Sequence, residues 1–155
     1  MINNSNRPAR IGFPGILWCA AMLVLGSCTI AHAEPFGDPQ YKVAIQVSTD
    51  DPTTQRIALN NAANLQKEFG MDNIRIEIVA YGPGLSILTQ KSQLPERVES
   101  LISQGIRFSA CHNTMEGIKR KTGHLPKLLE NVEVVPSGVA RIVELQQQGY
   151  AYVRP

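Results

Sequence analysis

Five short apolar runs of β character, separated by segments of helix length, restrict this chain to very few folds. "YKVAIQVS", from Tyr41, places Val43, Ile45 and Val47 on one side, and "IRIEIVAYG" does the same with Ile74, Ile76 and Ile78. "IRFSAC", ending at Cys111, "VEVV" and the closing "YAYV" complete the set. Between the first two, Asp51 is expected to cap a helix with Pro52 at its first position, Ala58, Ala62, Leu65 and Phe69 on one stripe, and Gly70 as the stop. A second helix runs through Leu94, Val98, Leu101 and Ile102 to Gly105. Asn113 and Glu116 have the spacing of a capping box for a third. Ser137 caps a fourth, which carries Val139, Ile142 and Val143 and stops at Gly149. "GPG" at Gly82–Gly84 reads as a turn, and "HLPKLLEN" as a short helical turn at most. Strands alternating with helices predict an α/β fold: a mainly parallel sheet of about five strands with helices on both faces. Strand order does not follow from the pattern.

The first 33 residues have a different character. Arg7 and Arg10 precede the apolar run "ILWCAAMLVL", and "AHA", Ala31–Ala33, has the small residues of a cleavage site before Glu34. The run is shorter than the roughly 20 residues that span a bilayer, so a secretory signal is expected rather than a stable membrane span. Residues 34–40 form a lead segment, and the domain occupies 41–155. "LGSC", ending at Cys28, offers a second outcome: a lipobox, with Cys28 lipidated and the protein anchored through it. Either route puts the domain outside the cytoplasm, in the periplasm of a bacterial cell.

Removal of residues 1–33 from 155 leaves 122, the size of one domain. Cys19 and Cys28 go with the signal, so Cys111 becomes the only thiol. Loss of Arg7 and Arg10 takes the 15 basic residues to 13, against 13 acidic ones. A neutral domain gives no electrostatic reason to expect nucleic acid as a partner. "KRK", Lys119–Lys121, is open to two readings, an anion patch or the solvated cationic end of a helix. "STDDPTT" offers hydroxyls at a helix start, yet Asp50 and Asp51 repel phosphate and no Gly-rich cradle accompanies them. Cys111, His112 and His124 match no established zinc spacing. No metal and no cofactor is expected.

Cys111 is the residue through which chemistry enters. In open parallel sheets, ligands collect beyond the carboxyl ends of the strands. A thiol at that position, just before a helix, lies near free N–H groups that favour thiolate. A lone cysteine at a strand end is also an ordinary place for a small buried apolar residue. The compartment argues for a use, because an accessible thiol in an oxidising space becomes oxidised or paired. His112 can add positive charge or carry a proton. The helix dipole contributes about 0.3–1 kcal/mol, less than one pKa unit at about 1.36 kcal/mol per unit. A direct N–H···S⁻ bond or a protonated His112 would add to it, so the thiol is expected to titrate roughly one unit below its free value.

The segment "GIRFSACHNTM", followed by "VEVVPSGVARIVELQQQGYAYVRP", resembles the exported single-domain members of the DsrE/DsrF-like family, and "VAYGPGL" and "PSGV" are further family-like pieces. The resemblance implies a flavodoxin-like fold, association into homotrimers or hexamers, and a cysteine that carries sulfur as persulfide in a sulfur relay. Carried onto this sequence, it makes Cys111 the nucleophile and sulfur acceptor of a sulfurtransferase-like protein, with unknown donor and acceptor proteins. Backbone N–H groups from His112 to Met115 would stabilise its anion, and Asn113 and Thr114 would hydrogen-bond the terminal sulfur. Two other functions are compatible with such a fold. One is a non-catalytic module that binds a small ligand; the other is a scaffold assembling through the apolar stretch around Tyr81, Leu85, Ile87 and Leu88, a stretch whose default reading is core packing.

Overall fold

The computed structural model describes residues 38–155, so the expected signal, the "AHA" site and the Cys28 lipobox lie outside the described residues. The elements run β1 (Tyr41–Val47), α1 (Pro52–Phe69), β2 (Ile74–Ala80), a 3-10 helix (Gly82–Leu88), α2 (Pro95–Ser103), β3 (Arg107–Cys111), α3 (His112–Thr122), β4 (Glu133–Val135), α4 (Gly138–Gln147) and β5 (Ala151–Val153). The five strands form one sheet in the order β4-β3-β2-β1-β5, every pair parallel. This is the expected flavodoxin-like three-layer α/β arrangement.

The order explains the distribution of helices. From β1 to β4 each connection steps the same way, whereas the last one returns to the far side of β1. Right-handed crossovers therefore put α1, α2 and α3 on one face and α4 alone on the other. The core divides accordingly. Val43, Ile45, Val47, Ile76, Ile78 and Phe108 pack with α1, α2 and Met115 of α3. On the opposite face Ala44 and Val79 pack with Ile142, Leu145 and Tyr150. Because side chains alternate along a strand, Glu77, Ser109 and Cys111 share the α4 face. Most of the buried apolar side chains fill the three-helix side, and the buried polar residues of the strands, Glu77 and Ser109, lie under α4.

Several local expectations are met. Asp51 caps α1, its carboxylate accepting the Thr54 N–H at 2.7 Å and the Thr54 hydroxyl at 2.8 Å. This occupies the acid and the hydroxyl of "STDDPTT" with capping. Ser137 accepts the Ala140 N–H at the start of α4.

Others are corrected. "GPG" opens a 3-10 helix instead of a simple turn. Its Gly84 lies against the end of β1, where a Cβ would stand 2.3 Å from the Val47 carbonyl oxygen, so only glycine allows this approach. Leu85, Ile87 and Leu88 are fully buried, so of the two readings of that stretch core packing holds and a subunit contact through these three side chains does not. "HLPKLLEN" is not helical, since Pro126 interrupts any helix there. It runs beside the end of the 3-10 helix, with a bridge between Thr89 and Leu128 and bonds from Gln90 N–H to Lys127 O and Leu129 N–H to Leu88 O, both 2.9 Å. On α4 the buried face is Gly138, Ile142 and Leu145, leaving Val139 and Val143 half exposed.

Candidate functional site

β3 passes into α3 without a loop. Cys111 is the last strand residue, paired with Val135, and also the N-cap of the helix in extended conformation. The capping box expected from Asn113 and Glu116 is therefore displaced. Asn113 is already inside the first turn, where its N–H donates to the Pro136 carbonyl at 3.3 Å. Glu116 faces along the helix, 3.8 Å from His112 Nε2 and 3.5 Å from Lys119 Nζ. A chain that turns at the cysteine itself has no room for a separate polar cap.

Two helix starts meet at the sulfur. One is α3, through the N–H groups of Thr114 and Asn113; the other is α4, through the N–H of Gly138. Ser137 uses its hydroxyl on Ala140, so the Gly138 N–H remains free for the thiolate. Gly138 is also where the two segments touch, since a Cβ there would stand 2.9 Å from Tyr81 Cβ and Cδ1 and 3.2 Å from Cys111 Cβ. Thr114 Oγ1 accepts the Gly82 N–H at 2.9 Å, so its own proton is left to point at the sulfur.

Burial pushes the Cys111 thiol up, but the Thr114 hydroxyl and the N–H groups of Gly138, Thr114 and Asn113 outweigh it and leave the thiol below its ordinary value. Asn113 contributes least of these, as its N–H is shared with Pro136. The thiol itself forms no cap bond to the helix, and these groups favour its anion. The sulfur-bearing residue is only 5% exposed, which restricts approach to small reagents. Partial burial raises the neighbouring Tyr81 phenol, which stays neutral and leaves a thiolate unopposed by a second anion.

The structure thus brings together Cys111, Thr114 and the Asn113 backbone. The His112 side chain is on the outer surface of α3 beside Glu116 and is not among the groups that act on the sulfur. His124 is exposed, its Nδ1 3.3 Å from the Leu125 carbonyl. Among the described residues no three His, Cys, Asp or Glu side chains come together as metal ligands.

Sequence reasoning missed the support beneath the cysteine. Glu77, on β2, is fully buried and accepts from the Ser109 hydroxyl at 2.7 Å and from Arg141 Nε and Nη2 at 2.7 and 2.8 Å. Burial opposes its charge, yet the bonds from Arg141 and Ser109 hold its carboxyl below the usual range. Arg141 lies in the first turns of α4, so this fork fastens to the sheet the same helix end that presents Gly138 to Cys111. The available signal was one carboxylate inside the otherwise apolar end of "IRIEIVA".

Residues 41–155 match the DsrE/DsrF-like family. Among solved structures, the protein of unknown function MTH1491 from Methanobacterium thermoautotrophicum is 39% identical with a TM-score of 0.67, covering 74% of this chain and 99% of that one. The ychN protein of E. coli is 15% identical with a TM-score of 0.56, over 75% of this chain and 99% of its own, a likeness of fold alone. A conserved protein of unknown function from Bacteroides thetaiotaomicron, BT1422, has the same kind of likeness, with 18% identity, a TM-score of 0.51 and coverage of 74% and 94%. No match is found among curated proteins. With a family match over nearly all of the described residues and a solved relative at this identity, the chain belongs to the DsrE/DsrF-like family.

Proposed function

We propose that the protein is a sulfur carrier in which Cys111 accepts a sulfane sulfur as persulfide and passes it on. The observation that carries this reading is the convergence of the α3 and α4 N-termini and the Thr114 hydroxyl on a single buried sulfur. Such a site favours an anionic sulfur, and a persulfide is a stronger acid than its thiol. Loading needs no outside oxidant when the donor is itself a persulfide. The Cys111 thiolate attacks the outer sulfur of R–S–SH, a new S–S bond forms, the old one breaks, and R–S⁻ leaves. Delivery is the same exchange in reverse toward an acceptor thiolate.

The carrier works outside the cytoplasm, exported by residues 1–33 or anchored at Cys28, and as a homotrimer or hexamer. The half-exposed Val139 and Val143 on α4, with Val134 on the edge strand β4, offer apolar surface for that assembly. Intact mass of the protein taken from cells, before and after reductant, tests the reading. A gain of about 32 Da removed by reductant is expected, and it disappears in Cys111→Ser. A mass that never exceeds the unmodified chain after exposure to a persulfide donor overturns it.

A further inference from the structure

Beside Thr114, between the 3-10 helix, α3 and the segment after it, lies an open groove of about 1150 Å³. Its size is slightly above the range of about 300–1,000 Å³ typical of small-molecule sites. Leu85, Ile118, Leu125 and Pro126 give it an apolar lining, and Lys91, Arg120, Lys121 and Lys127 add four cations. No carboxylate is among the lining residues. Among the described residues none of the four cations has a carboxylate within ion-pair distance, although Lys119 next to them is paired with Glu116. Gly117 of α3 also lines the groove and adds no side chain to fill it.

Unpaired cations concentrated on one apolar groove of a chain with a formal net charge of only +2 are not explained by folding. A solvated helix end accounts for Arg120 and Lys121, which lie in the last turn of α3. It does not account for Lys91 and Lys127, which come from other segments to the same groove. We propose that the groove binds a small organic anion with an apolar or aromatic body and at least two acidic groups. The body displaces water from the apolar lining, and the acidic groups meet the cations from two sides. Thr114 belongs both to this groove and to the surroundings of the Cys111 sulfur, so a bound anion ends one side chain away from the thiol. The proposal stands whether or not Cys111 carries sulfur.

Naphthalene dicarboxylate, with neutral naphthalene dimethanol as its control, tests the proposal by amide NMR titration of the wild type and of Cys111→Ser. The dianion is expected to shift the amides of Gly82, Thr114 and Gly117, with an affinity that falls as salt is added. The diol is expected to bind about tenfold or more weaker, and the double variant Arg120→Glu, Lys127→Glu to weaken the dianion by a similar factor. Both residues are exposed, so the variant is expected to keep its fold. Gly117→Leu, at a helical position without a positive φ, fills the groove and is expected to abolish binding. Equal binding of dianion and diol, an affinity unchanged by charge reversal, or shifts confined to another surface would each overturn the proposal. So would absence of binding, including the case in which light scattering shows an oligomer that closes the groove. Binding retained by Cys111→Ser supports the groove irrespective of any result on persulfide.

Discussion

Gly138 and Cys111, 27 positions apart in the chain, approach so closely that a single methyl on the glycine would stand 3.2 Å from the cysteine Cβ. This contact makes the second helix terminus part of the thiol's surroundings. Gly138→Ala also drives its Cβ to 2.9 Å from Tyr81, against atoms near the backbone that have little freedom to move. A loss of about 1–3 kcal/mol in stability is expected from overpacking, read from denaturant midpoints. As α4 is pushed away, the Cys111 titration is expected to move upward. An unchanged alkylation midpoint in a destabilised variant would show that the Gly138 N–H does not act on the sulfur.

Alkylation of the wild type by iodoacetamide is expected to have its pH midpoint below the ordinary thiol value, with a plateau rate slower than that of free cysteine. The first follows from the donors around Cys111, the second from its 5% exposure. A depressed thiol pKa stabilises the fold at pH above the unfolded value, and that contribution is lost as pH falls through the folded one. Cys111→Ser should therefore cost more relative to wild type at pH about 10 than at pH about 6. A midpoint at or above the free value would reduce Cys111 to a packing residue.

Thr114→Val removes the hydroxyl that links Gly82 to the sulfur while keeping its shape. The thiol midpoint is expected to rise, and the Gly82 N–H, left without its acceptor, to cost about 1–3 kcal/mol. Thr114→Ser, which retains the oxygen, should restore most of both. If valine and serine behave alike, the hydroxyl has no role at the sulfur.

Glu77→Gln weakens the fork to Arg141 and leaves a partly buried guanidinium with only the more exposed Glu144 carboxylate, at 3.5 Å, as counter-charge. Loss of about 3 kcal/mol is expected in thermal or denaturant unfolding near neutral pH. The Glu77 carboxyl is held below its usual range, so its contribution is full above the unfolded carboxyl pKa and is lost as pH falls through the lower folded value. The difference between wild type and variant should therefore shrink in acid. A gap that stays constant down to acid unfolding would remove charge from the account.

Asn113→Ala and Asp51→Ala separate a cap expected at α3 from the cap present at α1. Asp51→Ala loses the bonds to Thr54 and is expected to cost about 1 kcal/mol. Asn113 acts through its backbone N–H, so trimming its exposed side chain should change stability by less than about 0.5 kcal/mol. Equal losses in the two variants would restore Asn113 as a capping residue.

The sequence by itself determined the local elements and the place of the thiol. Val43, Ile45 and Val47 or Ile74, Ile76 and Ile78 mark strands because alternate side chains must share a buried face, and Asp51-Pro52 or Ser137 mark helix starts because free N–H groups need acceptors. Such rules act over a few residues, so the pattern reveals them. Where strand and helix abut without a loop, the local signal is ambiguous, and the cap fell on Cys111 instead of Asn113. Only the tertiary structure decided what surrounds the sulfur. Strand order β4-β3-β2-β1-β5 sends α4 alone to the other face of the sheet, and that brings Gly138, Arg141 and Glu77 together beneath Cys111. It likewise gathers Lys91, Arg120 and Lys127 around one groove from three separate segments. Contacts between distant segments depend on which strands pair. Every parallel arrangement of these strands satisfies the same local periodicity, so that choice leaves no mark on it.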